Sequence, residues 1–298
     1  MIGYLYLGRV AYDDGLHLQQ ELVALRAAGR IDNVLLLLEH PPVLTLGRNA
    51  TRANILVSDE LLARRGVTVH EINRGGDVTY HGPGQLVGYP IFDLRSLNNP
   101  NGGRFGPVDF VRRMEEALIR LCAHHGVRAG RIAGLTGVWC GNLLEPQHSS
   151  AEPPPAGDAR KIGAIGIHVS RGITSHGFAF NVTTDLRDFQ LINPCGITDR
   201  PVTSLAKEIA DPIALPSLES LAHQAARHFG LVFGEPLLPV ENLSALRAQA
   251  QSPAPEVPQS PAPEVQRSLA PQVAEDTPLQ IPREVECLYD SREHPVRA

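Results

Sequence analysis

A pair of predicted strands joined by a turn constrains the fold of this chain more than any other feature. Between residues 162 and 169, the β-branched Ile165, Ile167 and Val169 alternate with small or polar residues, and apolar residues alternate in the same way over residues 178–182. Arg171-Gly172 lies between the two segments and is typical of a turn. The pattern therefore predicts two strands of one sheet that return the chain on itself.

Cys195, which follows the strand pair, is the first candidate for chemistry. Pro194 fixes the backbone φ angle before the thiol, and Gly196 lets a substrate approach the backbone after it. A free cysteine is more often a small buried apolar residue, and the residues alone leave that alternative open. Lys161 adds a weaker signal, because only two of the 27 basic residues are lysines. Lysine, unlike arginine, readily shifts its pKa.

A glycine-rich segment at residues 74–94 is the second candidate site. Four of its first eleven residues are glycines, and Arg74, Asp77, Thr79, Tyr80 and His81 lie among them. Glycines at this density let the backbone approach a ligand and offer N–H groups to it. The segment matches neither the Walker A motif nor the dinucleotide-binding motif. An ordinary glycine-rich hairpin is an equally good interpretation.

Composition narrows the class of protein. At 298 residues the chain can form one large domain or two smaller ones, and its 43% hydrophobic content is typical of a globular protein. The net charge is −5, of which nine acidic residues and five arginines after Val240 contribute −4. This balance gives no electrostatic case for nucleic-acid binding. The longest apolar run, at residues 34–38, is too short to span a bilayer.

The four cysteines, at positions 122, 140, 195 and 287, form no Cys-x-x-Cys pair. We therefore expect neither a metal site nor a disulfide framework. The first residues also lack the features of a signal or transit peptide. Reduced thiols without a targeting segment predict a cytoplasmic protein.

The remaining segments alternate between amphipathic helices and short strands. Helices are predicted at residues 13–29, 58–65, 107–126, 203–210 and 217–229, and strands at residues 4–10, 34–38, 67–72, 138–140 and 231–233. Residues 144–160 have no periodicity and are predicted to form a loop. From about Leu243 the composition changes, and the heptapeptide QSPAPEV occurs at Gln251 and again at Gln259. We predict a folded domain over residues 1–240 and a proline-rich, disordered tail over residues 241–298.

Six segments together resemble the octanoyl-(acyl carrier protein):protein octanoyltransferases, also called lipoyl(octanoyl) transferases. They are HPPVLTLGR at residues 40–48, RGGDVTYHGPGQL at 74–86, LTGVW at 135–139, KIGAIG at 161–166, HGFAFNV at 176–182 and NPCGI at 193–197. Their order fits the family from about Gly3 to Phe233. The insert at residues 144–160 is longer than the family pattern, and the tail has no family counterpart.

The resemblance implies an α/β fold shared with the biotin and lipoate protein ligases, in which helices flank a central mixed sheet of a single catalytic domain. It implies transfer of an octanoyl or lipoyl group from acyl carrier protein to a lysine of a lipoyl domain. The acceptors would be the lipoyl domains of 2-oxoacid dehydrogenases and the glycine cleavage H protein. No cofactor is implied, because the donor is already a thioester.

The resemblance also assigns roles to residues of this chain. Cys195 would form the acyl-thioester, and Lys161 would be its acid/base partner. The acyl-substrate site would be lined by Arg74, Gly75, Gly76, Asp77, Val78, Thr79, Tyr80, His81, Ala164, Ile165, Gly166, Gly177, Phe178 and Ala179. His176 lies beside these segments but is left outside the predicted site, since a single histidine is more often structural.

Two other functions fit part of the pattern. An ATP-dependent lipoate or biotin protein ligase would share the fold, and a requirement for ATP would identify it. The combination of Cys195 with Lys161 favours the transferase over the ligase. A non-catalytic module that binds acyl chains or lipoyl domains is the third alternative, and it would form no acyl-thioester.

Overall fold

Two β-sheets and six helices make up the described part of the chain. The computed structural model describes residues 1–99, 102, 105–141, 143, 158–193, 200–210 and 215–251. The chain divides into two units, Met1–Ala254 and Pro255–Ala298, and every described residue belongs to the first. Predictions for residues 144–157, 194–199 and 252–298 lie outside the described residues, and Cys195 is among them.

Eleven strands and six α-helices follow one another along the described chain. The strands are β1 (Ile2–Arg9), β2 (Asn33–Glu39), β3 (Val43–Leu46), β4 (Thr68–Glu71), β5 (Val78–His81), β6 (Gln85–Ile91), β7 (Ala129–Ile132), β8 (Leu135–Cys140), β9 (Arg160–Ser170), β10 (Ile173–Asn181) and β11 (Leu237–Pro239). The helices are α1 (Tyr12–Ala27), α2 (Asp59–Arg64), α3 (Pro107–His124), α4 (Leu205–Glu208), α5 (Leu218–Phe233) and α6 (Leu243–Gln251).

The large sheet is mixed. Its eight strands have the order β11-β1-β2-β6-β10-β9-β8-β7, and the small sheet has the order β4-β3-β5. β1 pairs in parallel with β2 and β11, whereas the other pairs of the large sheet are antiparallel. The predicted α/β fold class is confirmed. None of the described helices is both long and apolar enough to cross a membrane.

Helices α3 and α5 cover one face of the large sheet. α3 begins at Pro107, which has no N–H to leave unsatisfied, and Asp109 accepts a hydrogen bond from the Gly106 N–H at 3.0 Å. The apolar stripes of α3 and α5 meet the sheet in one large cluster of buried side chains. We call this cluster the helix-side core, and its members include Leu35, Leu37, Phe92, Phe110, Leu118, Ile162, Phe180 and Phe229.

The opposite face of the large sheet packs against α1, α6 and the small sheet. Val34, Leu36 and Leu38 of β2 lie in a second buried cluster with residues of α1 and α6, whereas Leu35 and Leu37 face the helix-side core. β2 is therefore apolar on both faces, as expected for a strand with a packed layer on each side. The small sheet has a cluster of its own and covers β9 and β10 from this face.

The predicted strand pair is confirmed. β9 and β10 are antiparallel neighbours, and Arg171 and Gly172 form the turn between them with φ angles of 50° and 84°. The strand predicted at residues 231–233 is wrong, because α5 continues to Phe233. The ring of Phe233 stacks with that of Phe229 in the helix-side core, so helical spacing buries both rings.

Helix α6 lies beyond the predicted domain boundary at residue 240. Leu246 and Ala250 are buried against α1, and the Arg247 guanidinium forms an ion pair with Glu21 at 2.7 Å. Arg30 donates a hydrogen bond of 2.7 Å to the carbonyl of Ala250. The apolar periodicity of the sequence does not predict this helix, because only two of its nine residues are buried. We place the end of the folded domain after α6.

We expect two truncations to separate α6 from the proline-rich tail. A chain that ends after residue 251 should melt at the temperature of the full chain. A chain that ends after residue 240 should melt at least about 5 °C lower, because losing a buried leucine alone costs about 2–5 kcal/mol. Leu246→Ala should reproduce most of this loss, and Ser244→Ala, at an exposed position of the same helix, should not. Equal melting temperatures for the two truncations would contradict this packing.

Candidate active site

A cavity of about 190 Å³ lies between β9 and β10 of the large sheet and the glycine-rich segment that runs into the small sheet. All three predicted site segments border it. Of the predicted residues, the lining includes Arg74, Gly75, Gly76, Asp77, Thr79, His81, Lys161, Ala164, Ile165, Gly166, Gly177, Phe178 and Ala179. The structure therefore brings together predicted residues that are up to 105 positions apart in the chain, from Arg74 to Ala179 (179 − 74).

Val78 and Tyr80 lie outside this lining. They alternate with Thr79 and His81 along β5, so their side chains are on the other face of the strand. There Val78 is fully buried in the cluster of the small sheet, and the Tyr80 hydroxyl donates a hydrogen bond of 2.7 Å to Asp188. The predicted glycine-rich segment thus has one face toward the cavity and one toward a core.

Arg74 and Gly75 hold the glycine-rich segment against the two sheets. The buried guanidinium of Arg74 donates to the carbonyl of Thr45 at 2.7 Å and to the hydroxyl of the same residue at 2.9 Å. The Gly75 N–H donates to the Ile167 carbonyl of β9 at 2.9 Å. The two backbones are so close that a Cβ at Gly166 would lie 2.7 Å from the Gly75 carbonyl oxygen. A larger residue at position 166 would therefore push this wall of the cavity outward.

A β-bulge directs Lys161 into the cavity. Between β8 and β9 the pairing shifts from Val138 opposite Gly163 to Trp139 opposite Lys161, which leaves Ile162 as an extra residue on β9. Ile162 is fully buried in the helix-side core, and a Cβ at Gly163 would contact the same core. Ile162 and Gly163, which are successive residues, therefore both face the helix side of the sheet. Lys161 consequently lies on the cavity side with Ala164 and Gly166, where strict alternation would have placed it on the helix side.

Lys161 is held at both its backbone and its amine. Its N–H donates to the Pro201 carbonyl and its own carbonyl accepts from the Thr203 N–H, both at 2.9 Å. Its Nζ lies 4.6 Å from the centroid of the Trp139 ring, within the range of a cation–π interaction. Trp139 is almost fully buried, so its ring forms a fixed wall against the amine.

Hydrogen bonds fix the tautomer of His81. Asn181 donates from its amide to the Thr203 carbonyl at 2.9 Å, and Gln85 donates to the Asn181 amide oxygen at 2.9 Å. Because the amide nitrogen of Gln85 is the donor in that bond, its amide oxygen is the atom that lies 2.8 Å from Nδ1 of His81. Nδ1 must therefore carry the proton. Nε2 of His81 is then the unprotonated nitrogen, and it lies 3.4 Å from the Thr45 hydroxyl.

Three histidines at or beside the cavity are buried and neutral. Burial, with smaller contributions from the neighbouring His40 and Arg74, lowers the pKa of His81 to about 3. Burial likewise lowers the pKa of His40 and of His176 to about 4. His40 contacts the Val10 carbonyl and the Tyr89 hydroxyl, each at 2.7 Å. Uncharged imidazoles therefore adjoin the cavity at neutral pH.

This burial predicts that the fold becomes less stable in mild acid. A histidine with a lowered folded-state pKa binds more protons when the chain is unfolded. Its contribution to the free energy of unfolding is therefore fully present above pH 6.5 and is lost as the pH falls toward 4. For His40 the lowering corresponds to ~3 kcal/mol. We expect the urea-unfolding free energy to fall over this range. The slope should become shallower in His40→Gln but not in His17→Gln, which alters an exposed histidine. An unchanged slope in His40→Gln would contradict the prediction.

The structure adds residues that were left outside the predicted site. Tyr12, Val87, Tyr89, His176 and residues 134–136 also line the cavity. Most of these had a signal in the sequence: residues 135 and 136 and His176 belong to family segments, and Val87 and Tyr89 alternate along β6. Tyr12 had none, because only the packing of α1 brings it to the cavity. Among the described residues, no group of three or more acidic, histidine or cysteine side chains could hold a metal ion.

Sequence comparison identifies the family to which this arrangement belongs. The model of the family described as "Lipoyl protein ligase A/B catalytic domain" matches residues 11–229. The chain belongs to this family. The match includes Lys161, both walls of the cavity and the position of Cys195.

Two relatives match most of this chain. An octanoyltransferase of Acidobacterium capsulatum is 59% identical over 243 residues, which are 81% of this chain and 94% of the relative. An octanoyltransferase of Koribacter versatilis is 52% identical over 246 residues, or 83% of this chain and 90% of that one. Each relative is therefore matched over nine-tenths or more of its own length.

Solved structures of lower identity share the fold. The bipartite lipoate protein ligase of Thermoplasma acidophilum superposes with a TM-score of 0.59 and 16% identity, covering 84% of this chain and 91% of that one. A lipoate-protein ligase A bound with ATP gives a TM-score of 0.58 at 16% identity, with coverages of 84% and 93%. The implied likeness to lipoate protein ligases is confirmed at the level of the fold.

Proposed function

We propose that this chain is an octanoyltransferase that moves an octanoyl group from acyl carrier protein to a lysine of a lipoyl domain. The observation that supports the proposal most directly is the bulge that directs Lys161 into a cavity bordered by the three predicted site segments. Identity of 59% to a curated octanoyltransferase over most of both chains supports the same activity. The acceptors would be the lipoyl domains of 2-oxoacid dehydrogenases and the glycine cleavage H protein.

The reaction would proceed in two acyl transfers. Lys161, as a neutral amine, would take the proton of the Cys195 thiol, and the thiolate would attack the donor thioester carbonyl. The carrier thiol would leave with a proton from Lys161, and an acyl-thioester would remain on Cys195. The amine of the acceptor lysine would then attack this thioester and lose a proton to Lys161. Formation of the amide would release the Cys195 thiolate, which recovers the proton.

The flanks of the segment that carries Cys195 support this pairing. The Asn193 N–H donates to the Asn54 carbonyl at 2.8 Å, and the Asn54 amide donates to Asp77 of the cavity wall at 2.6 Å. On the other flank, the Pro201 carbonyl accepts a hydrogen bond from the backbone N–H of Lys161. Both described flanks of the segment that contains Cys195, Asn193 and Pro201, are therefore anchored to residues at the cavity.

The cavity suits a short acyl chain. Its lining includes the apolar side chains of Ile72, Val87, Ala164 and Ala179. An apolar cavity of about 150 Å³ holds a benzene ring, and the 190 Å³ here provide more room than that. Burial of a hydrocarbon chain stabilises it by about 0.8 kcal/mol per CH₂ group. Backbone N–H groups of the glycine-rich wall are candidates to stabilise an oxyanion.

An ATP-dependent ligase is the alternative that the fold alone would allow. The likeness to the ATP-bound ligase is at 16% identity and concerns the fold only. We propose that the present chain needs no nucleotide, because its donor would already be activated as a thioester. Parallel initial-rate lines for donor and acceptor would support the covalent route, and intersecting lines would count against it.

Intact-protein mass spectrometry tests the proposal directly. The full chain is mixed with octanoyl-acyl carrier protein without ATP, and one octanoyl group should add to the protein. Addition of a lipoyl domain should then remove the adduct and acylate the domain. Absence of the adduct, or its formation only with octanoate and ATP, would refute the proposed transferase.

A further inference from the structure

Glu115 of α3 is a fully buried carboxylate in the helix-side layer. Its Oε2 accepts hydrogen bonds from Arg112 at 2.8 Å and from Arg131 at 3.0 Å. Its Oε1 accepts from the backbone N–H of Gly137 on β8 at 3.0 Å. A buried carboxylate costs several kcal/mol unless it is paired, and an apolar residue at this position would pack without that cost. The contact with Gly137 therefore calls for an explanation.

Gly137 lies against the segment of β9 that turns Lys161 toward the cavity. Its φ angle is 126°, and a Cβ at this position would lie 2.6 Å from the Gly163 carbonyl oxygen and 3.4 Å from Cε of Lys161. The Gly137 N–H bonds to Glu115, and the next residue on β8 pairs with Gly163. The carboxylate thus supplies an acceptor at the edge of the bulge, where the β8–β9 register is interrupted.

The orientation of Lys161 depends on this register. Ile162 and Gly163 both face the helix-side core, and this double step is what places Lys161 on the opposite face. A slip of one residue would turn the lysine away from the cavity. We propose that Glu115 is a positioning residue: through the Gly137 N–H it holds the β8–β9 bulge in the register that directs Lys161 into the cavity. The catalytic consequence rests on the proposed function.

The chain provides its own reporter for this arrangement. Trp139 is the single tryptophan, and the Lys161 amine lies over its ring at 4.6 Å. Withdrawal of the amine changes the surroundings of the indole, so the Trp139 emission spectrum reports the position of Lys161 without any substrate. The spectrum of Lys161→Met defines the signal of a ring without the amine.

The test combines this signal with a double-mutant cycle. In Glu115→Leu we expect the Trp139 spectrum to approach that of Lys161→Met. Single-turnover acylation by octanoyl-acyl carrier protein should slow by about 10²-fold, as for a displaced catalytic group. Adding Glu115→Leu to Lys161→Met should slow acylation little further, because both changes remove the same contribution. Glu115→Gln, which keeps an oxygen acceptor for Gly137, should restore most of the rate.

A neighbouring carboxylate is the matched control. Glu116 lies on the same helix and also contacts Arg131, at 3.0 Å, but it is partly exposed. Glu116→Leu should leave both the spectrum and the acylation rate unchanged. Gly137→Ala keeps the Glu115 carboxylate but crowds the contact between β8 and the bulge of β9. It should therefore change the Trp139 spectrum and the acylation rate as expected for Glu115→Leu, and it provides a test if Glu115→Leu does not fold.

Three results would overturn the positioning role. They are a wild-type Trp139 spectrum in Gly137→Ala, equal slowing by Glu115→Leu with and without Lys161, and an effect of Glu116→Leu as large as that of Glu115→Leu. Failure of the proposed function has a different signature, since the wild-type chain would then form no octanoyl adduct. The Trp139 spectra would still decide whether Glu115 holds Lys161 in place.

Discussion

Replacement of Cys195 by alanine should abolish the octanoyl adduct, whereas Cys122→Ala and Cys140→Ala should keep it. Cys122 and Cys140 are fully buried in the helix-side core, on the face of the sheet away from the cavity. Burial raises the pKa of the Cys122 thiol well above its usual range and that of Cys140 to about 12. Because the thiolate is the nucleophile, neither residue can accept an acyl group at neutral pH.

The measurement is the intact mass of each variant after it is mixed with octanoyl-acyl carrier protein. Cys287→Ala completes the set, because the sequence assigns this cysteine no role. Tryptic mapping of the wild-type adduct should place the octanoyl group on the peptide that contains Cys195. An adduct that persists in Cys195→Ala would disprove the acyl-thioester on this residue and would shift attention to another nucleophile.

Much of the fold follows from local patterns in the sequence. Alternation predicted β9 and β10, because a sheet with two chemically different faces requires a period of two. The apolar run at β2 predicted a strand buried on both sides, and the apolar spacing of α3 predicted a helix with one buried face. These patterns are local, so a single sequence is enough to detect them.

The geometry of the cavity does not follow from local patterns. Strict alternation places Lys161 on the same face as Ile165, and only the extra residue at Ile162 reverses this. A bulge depends on the pairing of two strands, so the sequence of one strand cannot locate it. Tyr12 and His40 reach the cavity region through packing between distant elements. Such contacts are set by tertiary structure and have no periodicity.

Helix α6 shows the same limit at the end of the domain. The change of composition near Leu243 correctly marks a departure from the pattern of the core, but the first nine residues still pack on the body. Their contribution comes from Leu246, Ala250 and the pairing of Arg247 with Glu21. Two buried residues in nine are too few to form the apolar stripe of an amphipathic helix. The change of composition therefore predicts a disordered segment here, although the segment is helical.

Replacement of Lys161 by methionine should slow formation of the acyl-enzyme by about 10²–10⁴-fold, the range for a lost acid/base group. Methionine preserves the apolar length of the side chain beside Trp139 but removes the amine. Single-turnover acylation, followed by rapid quench and mass spectrometry, measures the rate. The chain offers a matched control, because Lys207→Met alters the other lysine, which is exposed on α4. Lys207→Met should acylate at the wild-type rate.

The pH dependence of the Cys195 thiol distinguishes an acid/base role from a loss of structure. A free thiol with a pKa near 8.5 is only a few per cent thiolate at neutral pH, and a nearby amine increases this fraction. Alkylation of Cys195 by iodoacetamide in Lys161→Met should therefore move to higher pH, toward an ordinary thiol. Since interacting groups titrate together, the shift belongs to the pair and not to either residue. An unchanged alkylation profile together with a wild-type acylation rate would exclude the pairing of Lys161 with Cys195.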